Sequence, residues 1–262
     1  MDTRFWGPSG WRLLHSITFT YNPVSDKVAV RKVFESLPFV LPCKYCRTSL
    51  SSYMKELPLE PALESKSKLS KWLWMIHNKV NDKLKDQGIN TKQNPSFHQV
   101  EVFYNELLKR GCSRTDFPGW DFLFSIVDLH PSAKGLRSTP LSGSPDCNTL
   151  DTLIEKNEWN CLTSQERLPM YKQFWINIGH VFPFQEWRKS WSSNNTLSDE
   201  ILENKSLLMK ELWKIRCKME ADLELLNRCK YSQLCMTLRN YRSGCNRSTR
   251  GKTCRRKQQR DK

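Results

Sequence analysis

The sequence predicts an all-helical protein. Apolar residues recur at spacings of three and four in most segments, whereas alternating Val/Ile/Thr runs bounded by hairpin turns are nearly absent. Ten Trp, twelve Phe and seven Tyr indicate an unusually aromatic core. The clearest amphipathic segment is 67–85, whose apolar stripe consists of Leu69, Leu73, Ile76, Val80 and Leu84.

Five helices are predicted in a first region, residues 1–110. Pro8 falls where a first helical turn tolerates proline. Pro58 and Pro61 interrupt the chain between the third and fourth helices. We therefore expect a compact bundle with helices over about 4–21, 26–37, from the Cys43 segment to about Lys55, 67–85 and 97–109.

A second region, residues 111–228, resembles a degenerate copy of the first. Segments 11–23, 37–52 and 74–81 are echoed in order by 120–131, 178–193 and 213–220, with a loop predicted over 132–168. The apolar frame persists, but Phe184 and Trp187 stand where the first region has cysteines. We expect a helical repeat domain without an active site, either packed on the first region as a pseudo-dimer or serving as a partner-docking surface. The alternative is chance recurrence of Trp, Leu and Ile in helical sequences.

The net charge of +15 is concentrated in a Cys-containing tail, residues 229–262. This tail is rich in Lys and Arg and poor in large apolar residues, so we expect it to be disordered. Its cations could contact phosphates in a salt-dependent manner. An alternative function is therefore that of a nucleic-acid-associated structural protein, and weak nucleic-acid contact could also accompany another function.

The sequence also bears on location. No apolar run reaches the roughly 18 residues that span a bilayer. Met1-Asp2-Thr3-Arg4 leads directly into structured sequence, which indicates no signal peptide and a cytoplasmic location. In such a reducing compartment a close cysteine pair is more often catalytic or metal-bound than a structural staple.

The most informative motif is Cys43-Lys44-Tyr45-Cys46. Cys43 follows a proline and is expected to open a helix, where unpaired N–H groups and the helix dipole favour a thiolate. Lys44 and Arg47 add positive charge, which lowers a thiol pKa further. Two sulfurs one helical turn apart suit thiol–disulfide exchange, in which one is attacked and the other passes electrons onward.

Two readings of the flanking polar residues remain open. Zinc would need four ligands, and none of His15, His77 and His98 has a second ligand at finger-like spacing. Alternatively, Trp11 and His15 lie one turn apart and can stack on an adenine, while the His77 face of the fourth helix can hydrogen-bond a flat heterocycle. Each histidine alone is more often a satisfied helix residue.

Three motifs in order resemble the Erv/ALR family of FAD-dependent sulfhydryl oxidases. They are Trp6-Gly7-Pro8-x-x-Trp11-x-x-Leu14-His15, Cys43-x-x-Cys46 and His77-Asn78-x-Val80-Asn81-x-Lys83-Leu84. The extra region and basic tail resemble the enzymes of nucleocytoplasmic large DNA viruses, and a degenerate second domain resembles the quiescin-type enzymes.

The resemblance implies a helical bundle that holds FAD, oxidises protein dithiols and passes electrons to O2 as H2O2. It implies that Cys46 is the sulfur next to the flavin and Cys43 the outer sulfur. Partners would be dithiol proteins or a small dithiol shuttle protein, with a homodimer possible, in host cytoplasm or virion. The FAD-binding residues implied are Arg4, Trp6, Gly7, Trp11, His15, His77, Asn78, Asn81, Lys83 and Leu84.

Two departures from the family pattern stand out. Trp74 replaces a cysteine of the family's structural disulfide, so packing must replace that bond. No second Cys-x-x-Cys motif provides a shuttle pair, and the tail cysteines are the best-placed substitutes.

Overall fold

The computed structural model describes residues 1–89, 93–112, 117–132, 139–225 and 230–242. Helices alone make up its regular structure, with no strand among these residues, which confirms the predicted fold class. The helices are α1 Thr3–Thr20, α2 Lys27–Val40, α3 Lys44–Glu56, α4 Lys66–Asp86, α5 Phe97–Lys109, α6 Trp120–Asp128, α7 Leu153–Glu158, α8 Ser164–Ile178, α9 Gln185–Asn194, α10 Asp199–Glu203, α11 Lys205–Asp222 and α12 Tyr231–Arg242.

Side-chain caps define the starts of the two helices that matter most for the site. Asp2 accepts a hydrogen bond from the backbone N–H of Arg4 at 2.9 Å and thereby caps α1. Ser65 caps α4 by accepting from the N–H of Lys68. Both helices turn an apolar stripe inward, as the sequence pattern predicted, and they pack directly on each other.

The first region is a bundle arranged around α4. Helix α4 packs on α1, α3 and α5 and on the 3-10 turn Glu60–Glu64, and α2 packs on α3. In place of a disulfide between α4 and α5, the Trp74 indole donates to the Pro95 carbonyl at 2.9 Å. Its ring also meets that of Phe97 edge-on at 5.9 Å. Packing thus joins these helices.

The second region repeats this order of contacts. Helix α11 packs on α6 and on the short α10, as α4 packs on α1 and on the 3-10 turn before it. Between the regions, α1 packs on α6 and α2 packs on α8. Two copies related by a pseudo-twofold axis would give this arrangement, because equivalent helices meet their own counterparts. The degenerate repeat stays a prediction that this packing favours.

The tail prediction is wrong over its first part. Residues from Tyr231 to Arg242 form α12, and Leu234 and Leu238 are buried against the rest of the protein. The i, i+4 spacing of these leucines gives an apolar stripe that outweighs the surrounding charge. Phe5 stacks on Tyr241 at 4.7 Å and so ties this helix to the start of α1. Residues 243–262 lie outside the described part of the chain.

A disulfide joins Cys147 to Cys161 across α7, with Cα atoms 5.5 Å apart. The predicted loop over 132–168 therefore contains a short helix held by a covalent bond. In the described residues, no helix is long and apolar enough to cross a membrane.

Candidate active site

The cysteine pair lies at the junction of α2 and α3. Helix α2 ends at Val40, and Cys43 is the N-cap of α3, with extended φ and ψ of −158° and 123°. The Cys43 carbonyl accepts from the N–H groups of Cys46 and Arg47 at 3.1 and 3.0 Å. Cys46 therefore lies in the first turn of α3, where the helix N-terminus stabilises a thiolate.

The two cysteines differ in burial, but in the opposite sense from the roles implied above. Cys43, expected to be the outer sulfur, is only 2% exposed. Cys46 is half-buried and faces a cavity. A ligand in that cavity would cover Cys46, so a substrate thiol would have to approach Cys43 through the residues that cover it.

The cavity lies between α1, α3 and α4 and has a volume of about 460 Å³. This is within the range of small-molecule sites, which are mostly apolar with a few oriented polar groups. Its lining fits that description. The residues on its walls include Trp6, Gly7, Trp11, Leu14, Leu37, Leu50, Met54, Leu73, Ile76, His77, Val80 and Leu84.

A stacked tryptophan–histidine pair forms one wall. The rings of Trp11 and His77 lie 3.8 Å apart and 11° from parallel. His15 lies behind them, 2% exposed, with its Nε2 3.1 Å from His77 Nδ1. Its ring also stacks on Tyr104 of α5 at 5.0 Å. The partner that stacks on Trp11 is therefore His77 and not His15, which is held in the protein interior.

Both histidines are neutral at physiological pH. Burial, and then the charge of His77, lowers the pKa of His15 to about 3. Burial lowers the pKa of His77 to about 4. A neutral imidazole can both donate and accept hydrogen bonds, so the Trp11–His77 wall presents no net charge to a ligand.

Polar groups are few and lie mainly at the edges of the cavity. Arg4 pairs with Asp2 at 2.6 Å, and Lys83 Nζ donates to Ser49 Oγ at 2.5 Å. Deeper inside, the indole N–H of Trp6 is buried without a hydrogen-bond acceptor. An unsatisfied buried donor is costly, so a ligand acceptor at this point would be favoured.

Most of the residues singled out from the sequence come together at this cavity. His15, Asn78 and Cys43 are not on its walls: His15 and Cys43 lie in the interior, and Asn78 is half-exposed on α4. The roles of individual residues stay predictions. Those that line the cavity are Arg4, Trp6, Gly7, Trp11, Cys46, His77, Asn81, Lys83 and Leu84.

Sequence reasoning missed the contribution of α3. Tyr45, Ser49, Leu50 and Met54 line the cavity beside Cys46. The spacing of four residues from Cys46 to Leu50 and from Leu50 to Met54 was a usable signal. Phe122 of α6 also reaches the cavity from the second region, and no local pattern could have indicated that.

No group of three or more His, Cys, Asp or Glu side chains able to hold a metal ion occurs among the described residues. The zinc alternative thus gains no support from this part of the chain.

Comparison with known proteins finds similarity over the part of the chain that carries the cavity. The Erv1/Alr family model matches residues 8–101. A protein of Acanthamoeba polyphaga mimivirus, named a probable FAD-linked sulfhydryl oxidase, is 36% identical over 85 residues, which are 31% of this chain and 59% of that protein. The mitochondrial FAD-linked sulfhydryl oxidase ERV1 of Saccharomyces cerevisiae is 33% identical over 87 residues, 32% of this chain and 45% of the relative.

The chain thus spans about half the length of the curated relatives it matches. No solved structure matches it. The matched residues include the cysteine pair, the Trp11–His77 wall, the whole of α3 and α4 and most of α1. Residues 8–101, about a third of the chain, are therefore similar to the Erv1/Alr family.

Proposed function

We propose that the protein is an FAD-dependent sulfhydryl oxidase that converts protein dithiols to disulfides and delivers the electrons to O2 as H2O2. The observation that carries this proposal is the position of Cys46 on the wall of an apolar cavity that α1 and α4 share. A redox-active sulfur beside a site for a flat apolar ligand is the arrangement such an enzyme requires.

The chain's residues fit FAD on three grounds. The walls are apolar and aromatic, with a stacking face at Trp11 and His77. The buried Trp6 indole N–H needs an acceptor, which a flavin or adenine heteroatom supplies. Gly7 lines the cavity, and a Cβ there would meet no atom within 4 Å, so the space beside it is open to a ligand.

Bound FAD would supply a two-electron acceptor and the oxygen chemistry that protein side chains lack. Arg4 and Lys83 at the edges could neutralise its phosphates. Asn81 would hydrogen-bond its polar groups, and the apolar walls would exclude water. These are the chain's contributions of binding and orientation.

The thiol chemistry belongs to the cysteine pair. A substrate thiolate attacks the Cys43 sulfur, the Cys43–Cys46 bond breaks, and Cys46 leaves as a thiolate at the N-terminus of α3. A second substrate thiol, after losing its proton, displaces Cys43 from the mixed disulfide. The substrate has then lost two electrons and two protons. The cysteine pair has gained both electrons and one proton, on Cys43, and the other proton has passed to solvent while Cys46 is a thiolate. Since Cys43 is buried, substrate entry requires its cover to move aside.

The direct experiment is an absorbance scan of the purified protein together with a peroxide assay on dithiothreitol. We expect oxidised-flavin bands and H2O2 production. Cys46→Ser should retain the flavin bands and reduce peroxide production to background. Cys112→Ser is the matched control, because this half-buried thiol accepts from the Trp187 indole and lies away from the cavity; its activity should equal that of the wild type. A colourless wild-type protein, or an active Cys46→Ser variant, contradicts the proposal.

A further inference from the structure

Two side chains of the second region hold the segment that leads to Cys43. Arg167 of α8 donates from Nε and Nη2 to the Phe39 carbonyl at 3.2 and 3.0 Å. Asn157 of α7 donates to the Pro38 carbonyl at 2.7 Å and to Ser51 Oγ of α3 at 2.8 Å. Carbonyls in the last turn of a helix lack intrahelical partners. The second region thus completes the end of α2 just before the cysteines.

Arg47 brings a second guanidinium to the same place. It is 8% exposed and donates from Nη1 to the Leu41 carbonyl at 3.0 Å, while its Nε is buried without an acceptor. Burial lowers the pKa of Arg47, and the charges of Cys43 and Cys46 oppose that shift. Arg47 is therefore within electrostatic range of both sulfurs and has an unused donor.

The charge of Arg47 also acts on Arg167. Burial, and then the charge of Arg47, lowers the pKa of Arg167. Arginine remains cationic at neutral pH even so. No ion pair to a carboxylate is formed by either side chain within the described residues. Burying two like charges without a counter-ion is unfavourable, which indicates that an anion is present in some state of the protein.

At the equivalent place in the second region, the arginine has a carboxylate partner. Continuing the paired blocks at constant spacing sets Arg188 opposite Arg47 and Asp26 opposite Arg167. Arg188 donates to the Phe182 carbonyl, as Arg47 does to Leu41. It also pairs with Asp26 across the regions at 3.0 and 3.2 Å. The position that holds a carboxylate beside Arg188 holds a second arginine beside Arg47.

This difference is confined to the side of the molecule that carries the cysteines. Other charged or titratable groups lie near the sulfurs, the cavity or the two arginines. They are Arg4 of α1, Lys44 and Tyr53 of α3, Tyr171 of α8, and His77 and Lys83 of α4. Arg4 and the lysines add positive charge, whereas His77 is neutral. The cysteine sulfurs interact with the charge of Arg47, and Arg167 interacts with Arg47 and with the buried Tyr171.

We propose that Arg167, reaching across from the second region, is a positioning residue that acts with Arg47 to stabilise the thiolate of the reduced Cys43/Cys46 pair. This inference rests on the proposed oxidase function, because the thiolate forms when the disulfide accepts two electrons from substrate. The second region, which lacks a cysteine pair of its own at the corresponding place, would then contribute a residue to the redox centre of the first region.

The sign of the effect follows from the charge. A nearby cation favours the thiolate over the thiol, so the pKa of the affected cysteine falls below about 8.5. Stabilising the reduced form also makes the disulfide a stronger oxidant. Removing the Arg167 charge should therefore raise the thiol pKa and lower the reduction potential of the pair.

The test measures these two quantities in the full-length reduced protein. Pulses of iodoacetamide between pH 5 and 10, with alkylation of each cysteine quantified by peptide mass spectrometry, give the midpoint for Cys46. We expect Arg167→Gln to raise that midpoint by about one pH unit. In glutathione buffers, the equilibrium ratio of reduced to oxidised pair should fall by up to about tenfold. Arg167→Lys keeps the charge, so both the midpoint and the ratio should stay close to their wild-type values.

Two control variants separate charge from structure. Arg188→Gln removes a guanidinium that also crosses between the regions, and Asn157→Ala removes the neighbouring bond to the Pro38 carbonyl. Both should lower the melting temperature and leave the Cys46 midpoint within about 0.3 units of wild type, since neither changes the charge near the sulfurs.

Three results overturn the inference. They are an unchanged midpoint in Arg167→Gln, a shift in Arg188→Gln as large as that in Arg167→Gln, or a wild-type midpoint at or above about 8.5. The wild-type midpoint can be measured even if none of the variants folds. Because alkylation needs no flavin turnover, a wild-type protein that makes no peroxide would sink the proposed function while the midpoint could still be read.

Discussion

In the predicted repeat, the first region encloses a cavity where the second region is filled by side chains. In the first region, α1, α3 and α4 enclose a cavity of about 460 Å³ with Cys46 on its wall. The predicted repeat pairs Cys46 with Trp187 of the second region, which is 3% exposed. Its ring lies 4.6 Å from that of Phe117, which lies 4.6 Å from that of Trp120. Aromatic side chains thus fill the corresponding place.

The polar positions follow the same contrast. Trp11 stacks on His77 in the first region, and its counterpart Trp120 lies 5.6 Å from the Arg216 guanidinium. Arg216 forms a buried ion pair with Glu220 at 2.6 Å. Arg216 and Glu220, which the predicted repeat pairs with His77 and Asn81, therefore bind each other. His77 and Asn81 instead line the cavity.

A few side chains therefore determine whether this arrangement of helices leaves a cavity or packs as a core. A packed core is stable by itself. A frame that keeps a cavity gives up that packing and regains it when a ligand binds.

The largest expected effect is on the packed region. Trp187→Ala should lower the free energy of unfolding by about 3–5 kcal/mol, because it removes a buried aromatic side chain and leaves a void. Met54→Ala, which enlarges an existing cavity, should cost less, on the order of 1 kcal/mol. Denaturant unfolding of both variants measures the difference. Equal losses would contradict the contrast between a filled and an open site.

The disulfide gives the next largest effect. Replacing Cys147 and Cys161 together by Ala should cost about 3 kcal/mol, as expected for a loop closed over a sequence separation of 14. Since α7 carries Asn157, losing the disulfide should also weaken the hydrogen bond from Asn157 to Ser51 of α3. Thermal melts with and without reductant provide the measurement. A melting temperature that neither the variant nor the reductant lowers would show that the bond is not formed.

A pH effect should belong to the first region. The folded-state pKa values of His15 and His77, about 3 and 4, lie below the ordinary value of 6.5, so the unfolded chain binds more protons. Their contribution is complete above pH 6.5 and is lost as the pH falls toward 4, by on the order of a few kcal/mol. Unfolding curves across this range measure it.

A matched pair of variants identifies the groups responsible. His77→Gln should reduce the pH dependence and leave the part due to His15, whereas His98→Gln, at an exposed position, should leave it unchanged. The corresponding Arg216 of the second region does not titrate in this range. Equal pH dependence in the wild type and His77→Gln would show that the buried His15–His77 pair does not cause the loss of stability at low pH.

The smallest effect is expected at the C-terminal end. Deleting residues 243–262 should leave flavin content and peroxide production unchanged, because α12 and its buried Leu234 and Leu238 are retained. Any retention on nucleic acid in low salt should fall with the loss of the basic residues. A matched truncation before α12 should destabilise the protein. Lost oxidase activity in the shorter deletion would give the tail a role beyond charge.

Local pattern was enough to predict much of the first region. The stripe from Leu69 to Leu84 predicted α4 to within one residue at each end, and the proline before Cys43 predicted the start of α3. These features depend on helical period and capping, which operate over a few residues. Bringing Cys46, Trp11 and His77 to one cavity followed from the family motifs.

Long-range contacts could not be predicted in this way. The bonds of Arg167 to Phe39 and of Asn157 to Pro38 join residues more than one hundred positions apart. The order of α12 depends on a surface for Leu234 to bury against, which composition does not reveal. The exposure of the two cysteines likewise depends on what packs over Cys43.

The most direct test of the central claim is the visible spectrum of two single-cysteine variants with flavin bound. If Cys46 lies against the cofactor, Cys43→Ser leaves its thiolate beside the flavin, and a long-wavelength absorption band should appear and fade as the thiolate is protonated. Cys46→Ser should lack that band while keeping the ordinary flavin spectrum. The same band in both variants, or in Cys46→Ser alone, would contradict the account.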